Sequence, residues 1–419
     1  MMIFSKSKTI ENLFYKASSG ADGDSFIGIK IRGNEIYFYY PQAYHFVDDE
    51  KCIKRDIISI LNTINIAKTK SVDSTDIYTG RINETDFALD SYLWVIKDYV
   101  NNGIYVNREK MYKYNQNGKV NWKRTLDGNP MVSKTGNVIY QDIIVDVKNQ
   151  VDNIIVDIHK YCIKKSIDLI GWLFNLNSKF IHPKHFNSQV KKHYLIALKK
   201  EISHTFDDDK KIRLNHFLNI IQGLDDDIDE KDFVYGVDRY DYVYERMIDY
   251  IFGNEDVTKF YPRGRWLLVK NNFTPINSSN LRPDTILSNG RDIYILDAKF
   301  YRFGVTGDEK HLPETSSIQK QILYGDYIKN KMPSEFDNVY NAFLIPFDMQ
   351  NETFKTNDIL YYIGYSRTDA NEAKLPHEKI HTFLIDLKHV IECWNRSNRS
   401  DDREKIIQSI QIQINSFKK

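Results

Sequence analysis

Hydrophobic and polar positions alternate over residues 26–40, FIGIKIRGNEIYFYY, with Gly33-Asn34 in the middle. Period-two alternation around a Gly-Asn pair predicts a β-hairpin, because strand side chains point to opposite faces and Gly or Asn accepts the backbone of a tight turn. Over residues 84–101, ETDFALDSYLWVIKDYVN, the apolar spacing changes to about 3.6 behind an acidic start, which predicts a helix. A polar Gly/Asn-rich loop follows, NGKVNWKRTLDGNP, then a strand around 138–146, an amphipathic helix over 151–175 and a basic helical stretch over 183–204. The segment 222–232, QGLDDDIDEKD, is acidic and poor in hydrophobics, so it reads as a boundary or an exposed loop. Beyond it the pattern predicts a helix at 240–252, a strand at 265–269, a hairpin at 283–299 and a helix at 315–331. Strands at 339–347, 359–365 and 380–386 and a terminal helix complete it. The expected class is mixed α/β (α+β), with a mixed N-terminal region over 1–225 and one α/β unit over 233–419.

Composition narrows this picture in two places. Hydrophobic residues make up 42% and charged residues 27%, as in ordinary globular proteins, and no apolar run approaches the ~20 residues a membrane span needs. The first residues, MMIFSKSKTIENLFYKASSG, lack a continuous hydrophobic stretch and read as mature sequence. Cys52, Cys162 and Cys393 lie far apart, which argues against a disulfide framework or a zinc knuckle and suits a reducing cytoplasm. The formal net charge of +1 neither requires nor excludes nucleic acid, since a local basic patch is cancelled in the sum by acidic segments elsewhere.

The chemistry concentrates in residues 281–301, LRPDTILSNGRDIYILDAKFY. A two-residue turn at Gly290-Arg291 sets Asp284 opposite Asp297, and the period of two places Lys299 on the same face. Pro283 stands at the strand start, where a missing N–H is tolerated. Two carboxylates and an ammonium at one sheet edge can hold Mg2+ beside a group that positions water. The plainer alternative is a surface hairpin whose Asp and Lys form a salt bridge. Histidines are scattered, and none pairs with Cys or acids at metal-ligand spacing. There is no P-loop, no GxSxG, no Cys/His nucleophile pair and no methyltransferase-like Gly-rich turn, so ATP use and self-contained methylation are not indicated.

Pro283-Asp284 followed by Asp297-Ala298-Lys299 resembles the PD-(D/E)xK nuclease superfamily, whose motif lies on adjacent strands of a mixed sheet flanked by helices. The resemblance implies a restriction-endonuclease-like core. Asp284 and Asp297 would be metal ligands, the Ala298 backbone carbonyl a further one, and Lys299 would assist the attacking water. A glutamate from a preceding helix is often added, and YDYVYERMIDYIFGN offers Glu245, acting directly or through water. In the helix TSSIQKQILYGDYI, Gln321 and Tyr324 would lie near the scissile phosphate, although they depart from the superfamily's usual spacing of four.

A narrower resemblance covers much of residues 80–330. FVYGVDRYDYVYERMIDYIFGN, FYPRGRWLL, SSNLRPDTIL, ILDAKFYRFG and LPETSSIQKQILYG, in that order and spacing, are similar to LlaJI-type restriction endonucleases. This implies a type II enzyme that cuts double-stranded DNA within or near a short specific sequence with Mg2+. It also implies a homodimer or a second nuclease subunit, because two strands must be cut, and a cognate DNA methyltransferase in the same system. A repair, recombination or mobile-element nuclease would share the motif, and a degenerate fold would bind DNA without cutting. The intact Asp284/Asp297/Lys299 set argues against the last.

DNA recognition requires cations and amides. The candidates are Lys123 and Arg124 beside Trp122, the run from Lys184 to Lys200, Arg263 and Arg265 in YPRGRW, Arg282, and Gln321.

Overall fold

The computed structural model describes residues 13–18, 26–32, 35–47, 49–69, 89–105, 108–115, 119–128, 130–140, 142–150, 154–223, 233–354, 356–370, 374–397 and 402–416. The chain divides into two units, one made of Met1–Thr85 with Lys231–Lys419 and the other of Asp86–Glu230. The N-terminal hairpin strands therefore fall in the same unit as the C-terminal half. Ile27–Arg32 pairs antiparallel with Glu35–Pro41, and its other edge takes Phe233–Val237, with Ile29 opposite Tyr235. That backbone ladder ties the first residues to the C-terminal half. The expected turn, Gly33-Asn34, lies outside the described residues, as do 84–88, 151–153 and 224–232 of the segments predicted above.

In the first unit a five-stranded mixed sheet runs in the order Thr285–Asn289, Asp292–Ala298, Asn338–Phe347, Ile380–Asp386, Leu360–Ser366. The outer pairs are antiparallel and the two inner pairs parallel. Asn338–Phe347 is buried at every position after the first and Ile380–Asp386 throughout. Covered on both faces, these strands read as continuous apolar runs, whereas Leu360–Ser366 stays half-exposed at the edge. On one face Ile293 and Ile295 pack with Tyr324 and Ile328 of the helix Thr315–Lys331. On the other, Gln411 of the last helix, Asp402–Ser416, donates to the Tyr294 hydroxyl at 3.3 Å. The strand predicted at 265–269 is Arg263–Leu267, and it does not join this sheet. It pairs with Pro275–Asn280 as a two-stranded arm whose residues are nearly all exposed.

The second unit is mainly helical: Leu89–Asn102, Ile154–Ile170, Ser188–His204 and Asp208–Gln222. A three-stranded sheet accompanies them, with Ile144–Gln150 between Arg108–Tyr114 and Lys119–Val120. Its helices meet at a polar centre in which the buried His159 Nε2 has no hydrogen-bond partner among the described residues. Arg213 grips Asp98 through two bonds of 2.9 Å, and His159, stacked on Phe217, accepts the Tyr105 N–H at 2.8 Å. Burial lowers the His159 pKa to about 4, so the ring is neutral and has a packing role. Among the described residues no helix is long and apolar enough to cross a membrane.

Candidate active site

The hairpin turn is built on Gly290, whose φ of +61° a residue with a Cβ adopts only with strain. Asn289 pairs with Asp292 and Thr285 with Leu296, so the next position outward sets Asp284 across from Asp297. The two acids share the face of Ile293 and Ile295. Asp284 Oδ2 accepts the Ala298 N–H at 3.1 Å. The Lys299 N–H instead donates to the Leu344 carbonyl on the central strand at 2.9 Å. In an extended strand a residue's N–H and C=O point the same way, so the Ala298 carbonyl also faces the Asp284 side. Three oxygen donors thus converge there without any side chain leaving its strand face.

Lys299 forms an ion pair with Asp297, and its side chain is only 15% exposed. Its ammonium lies 5.9 Å from the Phe343 ring centroid. Such a shielded pair interacts more strongly than a surface salt bridge.

Glu245 comes from the helix Tyr240–Phe252, whose Val243, Tyr244, Met247, Ile248 and Ile251 are buried while Glu245 stays half-buried. The helix is anchored beside the hairpin end: the Tyr244 hydroxyl donates to the Leu344 carbonyl at 3.3 Å, and Tyr240 and Tyr244 pack on Phe300. The carbonyl that receives the Lys299 amide therefore also receives the neighbour of Glu245.

Electrostatics couple these groups. Burial, then the charges of Asp297 and Glu245, hold the Asp284 carboxyl well above the usual carboxylate range. Burial, then Asp241 and Asp297, raise Glu245 from 4.5 to about 7, against the opposing pull of Lys299 and Lys320. For Lys299, burial works against the charged form, but Asp297 and then Asp284 prevail and raise its pKa. Three crowded acids facing one shielded ammonium are short of positive charge. An all-oxygen donor set of this kind suits a hard divalent cation such as Mg2+, and its groups are those whose charge such an ion would relieve.

Among the remaining predicted contacts, Arg263 and Arg265 are exposed on the two-stranded arm. Arg282 is half-buried with its guanidinium 5.7 Å from the Tyr261 ring, and its carbonyl accepts the Tyr324 hydroxyl at 2.7 Å. Lys123 and Arg124 are exposed on the short helix Trp122–Leu126, in the second unit. Gln321 stands elsewhere than expected of a DNA contact. It is 1% exposed, and its side-chain amide donates to the Ile295 carbonyl at 2.9 Å, so it fixes the helix to the sheet beneath the site. The sequence reading passed over Asp241 and Lys320, which bear on the Glu245 charge. The signal for Asp241 was present: it lies four residues before Glu245, and like charges at that helical spacing repel.

No curated protein matches this chain in sequence. Among solved structures it is similar to a chain in a refined half-complex from a tetradecameric assembly of Thermococcus gammatolerans McrB AAA+ hexamers with bound McrC. That match has 12% identity and a TM-score of 0.39, and covers 89% of this chain and 81% of the other. A second, in a cryo-EM structure of the Thermococcus gammatolerans McrBC complex, has 12% identity and a TM-score of 0.24, covering 53% and 64%. The model of the LlaJI restriction endonuclease family matches residues 26–363, more than half of the chain. The chain belongs to the LlaJI restriction endonuclease family.

Proposed function

We propose that this protein is a Mg2+-dependent endonuclease of the PD-(D/E)xK type that hydrolyses double-stranded DNA at or near a short specific sequence. The observation that carries the reading is the opposition of Asp284 and Asp297 across one hairpin, with Lys299 paired to Asp297 inside the same shielded corner. Asp284, Asp297 and the Ala298 carbonyl would hold the ion, with Glu245 joining through water. The ion, when bound, supplies positive charge at the phosphate and makes a nearby water more acidic. Lys299 orients the attacking water and offsets charge on the phosphate as the water oxygen bonds to phosphorus. One P–O ester bond breaks, leaving a phosphomonoester and a hydroxyl end. Glu245, with a pKa near neutrality, is suited to accept or return a proton at that water.

Arg263 and Arg265 on the arm, and Arg282 beside Asp284, would neutralise backbone phosphates. Lys123 and Arg124 would do so from the second unit, which on this reading contributes target recognition. Cutting both strands calls for a homodimer or a second nuclease subunit, and a cognate methyltransferase would protect host DNA from an enzyme acting against phage in the cytoplasm. The test is digestion of unmethylated plasmid and phage DNA with Mg2+, followed by mapping of the ends. Discrete ends at a recurring sequence support the reading. A mobility shift with intact DNA, or random degradation, contradicts it.

A further inference from the structure

Away from the hairpin, three metal-ligating side chains meet that the proposed reaction does not use. His389 and Cys393 stand one turn apart on the helix Leu387–Asn395, and Asp402 opens the last helix. His389 Nε2 lies 2.6 Å from Asp402 Oδ2 and 3.4 Å from Cys393 Sγ, and the sulfur lies 3.9 Å from the same carboxylate oxygen. Among the described residues this is the group of three or more potential ligands whose donor atoms all fall within 4.8 Å of one another. A Cys–His–Asp catalytic relay would place thiol and carboxylate on different ring nitrogens. Here both face the same one, so the three donors point at a common centre.

We propose that His389, Cys393 and Asp402 form a Zn2+ site that clamps the last two helices of the chain together. Tetrahedral zinc with bonds of about 2.0–2.3 Å sets its ligand atoms about 3.3–3.6 Å apart. The two edges that include sulfur, 3.4 and 3.9 Å, already lie close to that. Only the His–Asp edge must open, by ~0.7 Å, through rotation of an imidazole that is partly exposed and therefore free of the tightest packing. Sulfur, imidazole and a single carboxylate are a donor set for zinc rather than magnesium, and the half-open histidine leaves a route for the ion to enter. Lys405 lies 3.4 Å from the other Asp402 oxygen, Oδ1, so Oδ2 is the one turned to the ion.

The clamp has a structural consequence. Trp394 meets Tyr250 edge-on at 5.3 Å, and Arg403 donates to the Ile251 carbonyl at 3.0 Å and to the Gly253 carbonyl. Both contacts fall at the C-terminal end of the helix that carries Glu245, so the site braces that helix from behind.

The test measures zinc in the full chain carrying Asp297→Ala, which removes the hairpin's own contribution, purified without chelator. One zinc per chain is expected, and adding Cys393→Ser should lower it by at least about tenfold. Cobalt-loaded protein should show a thiolate-to-cobalt charge-transfer band that Cys393→Ser abolishes. Should the variant not fold, the Cys393-containing protein alone decides: cobalt must give that band and a chelator must lower the melting temperature. Absence of either the band or the chelator effect, or full zinc retention after Cys393→Ser, overturns the proposal.

Discussion

Asp284 Oδ2 accepts the backbone N–H of Ala298 at 3.1 Å, joining the first acid of the hairpin to the strand that carries the second acid and the lysine. The bond orients a carboxyl that its surroundings otherwise disfavour, since burial and the charges of Asp297 and Glu245 all push its pKa up. Geometry that is useful for holding a cation is thus bought against stability.

Asp284→Asn tests that opposition. The amide keeps the shape and an acceptor oxygen but removes a charge from a crowded corner. Cleavage should fall by at least about 10²-fold, while the melting temperature holds or rises. A nicking assay with Mg2+ and a thermal melt in metal-free buffer check the two; a variant that loses activity because it unfolds contradicts the account.

Glu245 makes stability depend on pH. Its folded pKa of about 7 exceeds the ordinary 4.5, so between those values the folded state binds more protons than the unfolded state. Metal-free protein should therefore lose stability as pH rises from about 4.5 to 7, and Glu245→Gln should flatten that slope. Adding Mg2+ at pH 7 or above should restore stability to the wild type. Denaturant midpoints across this range give the answer.

Gln321 should behave as a structural residue. Gln321→Leu removes a buried hydrogen bond to the Ile295 carbonyl, which keeps its partner in the sheet, at a cost of about 0.5–1.5 kcal/mol, and leaves the DNA affinity of the folded protein unchanged. Chemical denaturation paired with filter binding separates the two; weaker binding at unchanged stability would restore the DNA-contact reading.

Arg265 should behave in the opposite way. It is exposed on the arm, so Arg265→Ala should leave the melting temperature unchanged and weaken binding across sequences, lowering the slope of log affinity against log salt by about 1. Binding measured at several salt concentrations decides it.

The parts of this site that could be read in advance are those set by local rules. The helices at 240–252 and 315–331 have the bounds that their apolar spacing predicts, and the Gly290 turn determines which residue faces Asp297. What escaped depends on distant partners. The pairing of Ile27–Arg32 with Phe233–Val237 joins segments far apart in sequence, and nothing local in either announces the other. Gln321 lies on a helix with polar residues on several faces, so only the packed sheet reveals that it points inward. His389 and Cys393 do have a helical i, i+4 spacing, but the meaning of that pair depends on Asp402 turning back across a helix boundary.

The central claim is tested most directly by single-turnover cleavage of plasmid DNA as Mg2+ is titrated, comparing wild type with Asp297→Asn and Lys299→Ala. The account predicts saturable, Mg2+-dependent cutting by the wild type and none above background by either variant while both remain folded. Cutting at the wild-type rate by Asp297→Asn would contradict it.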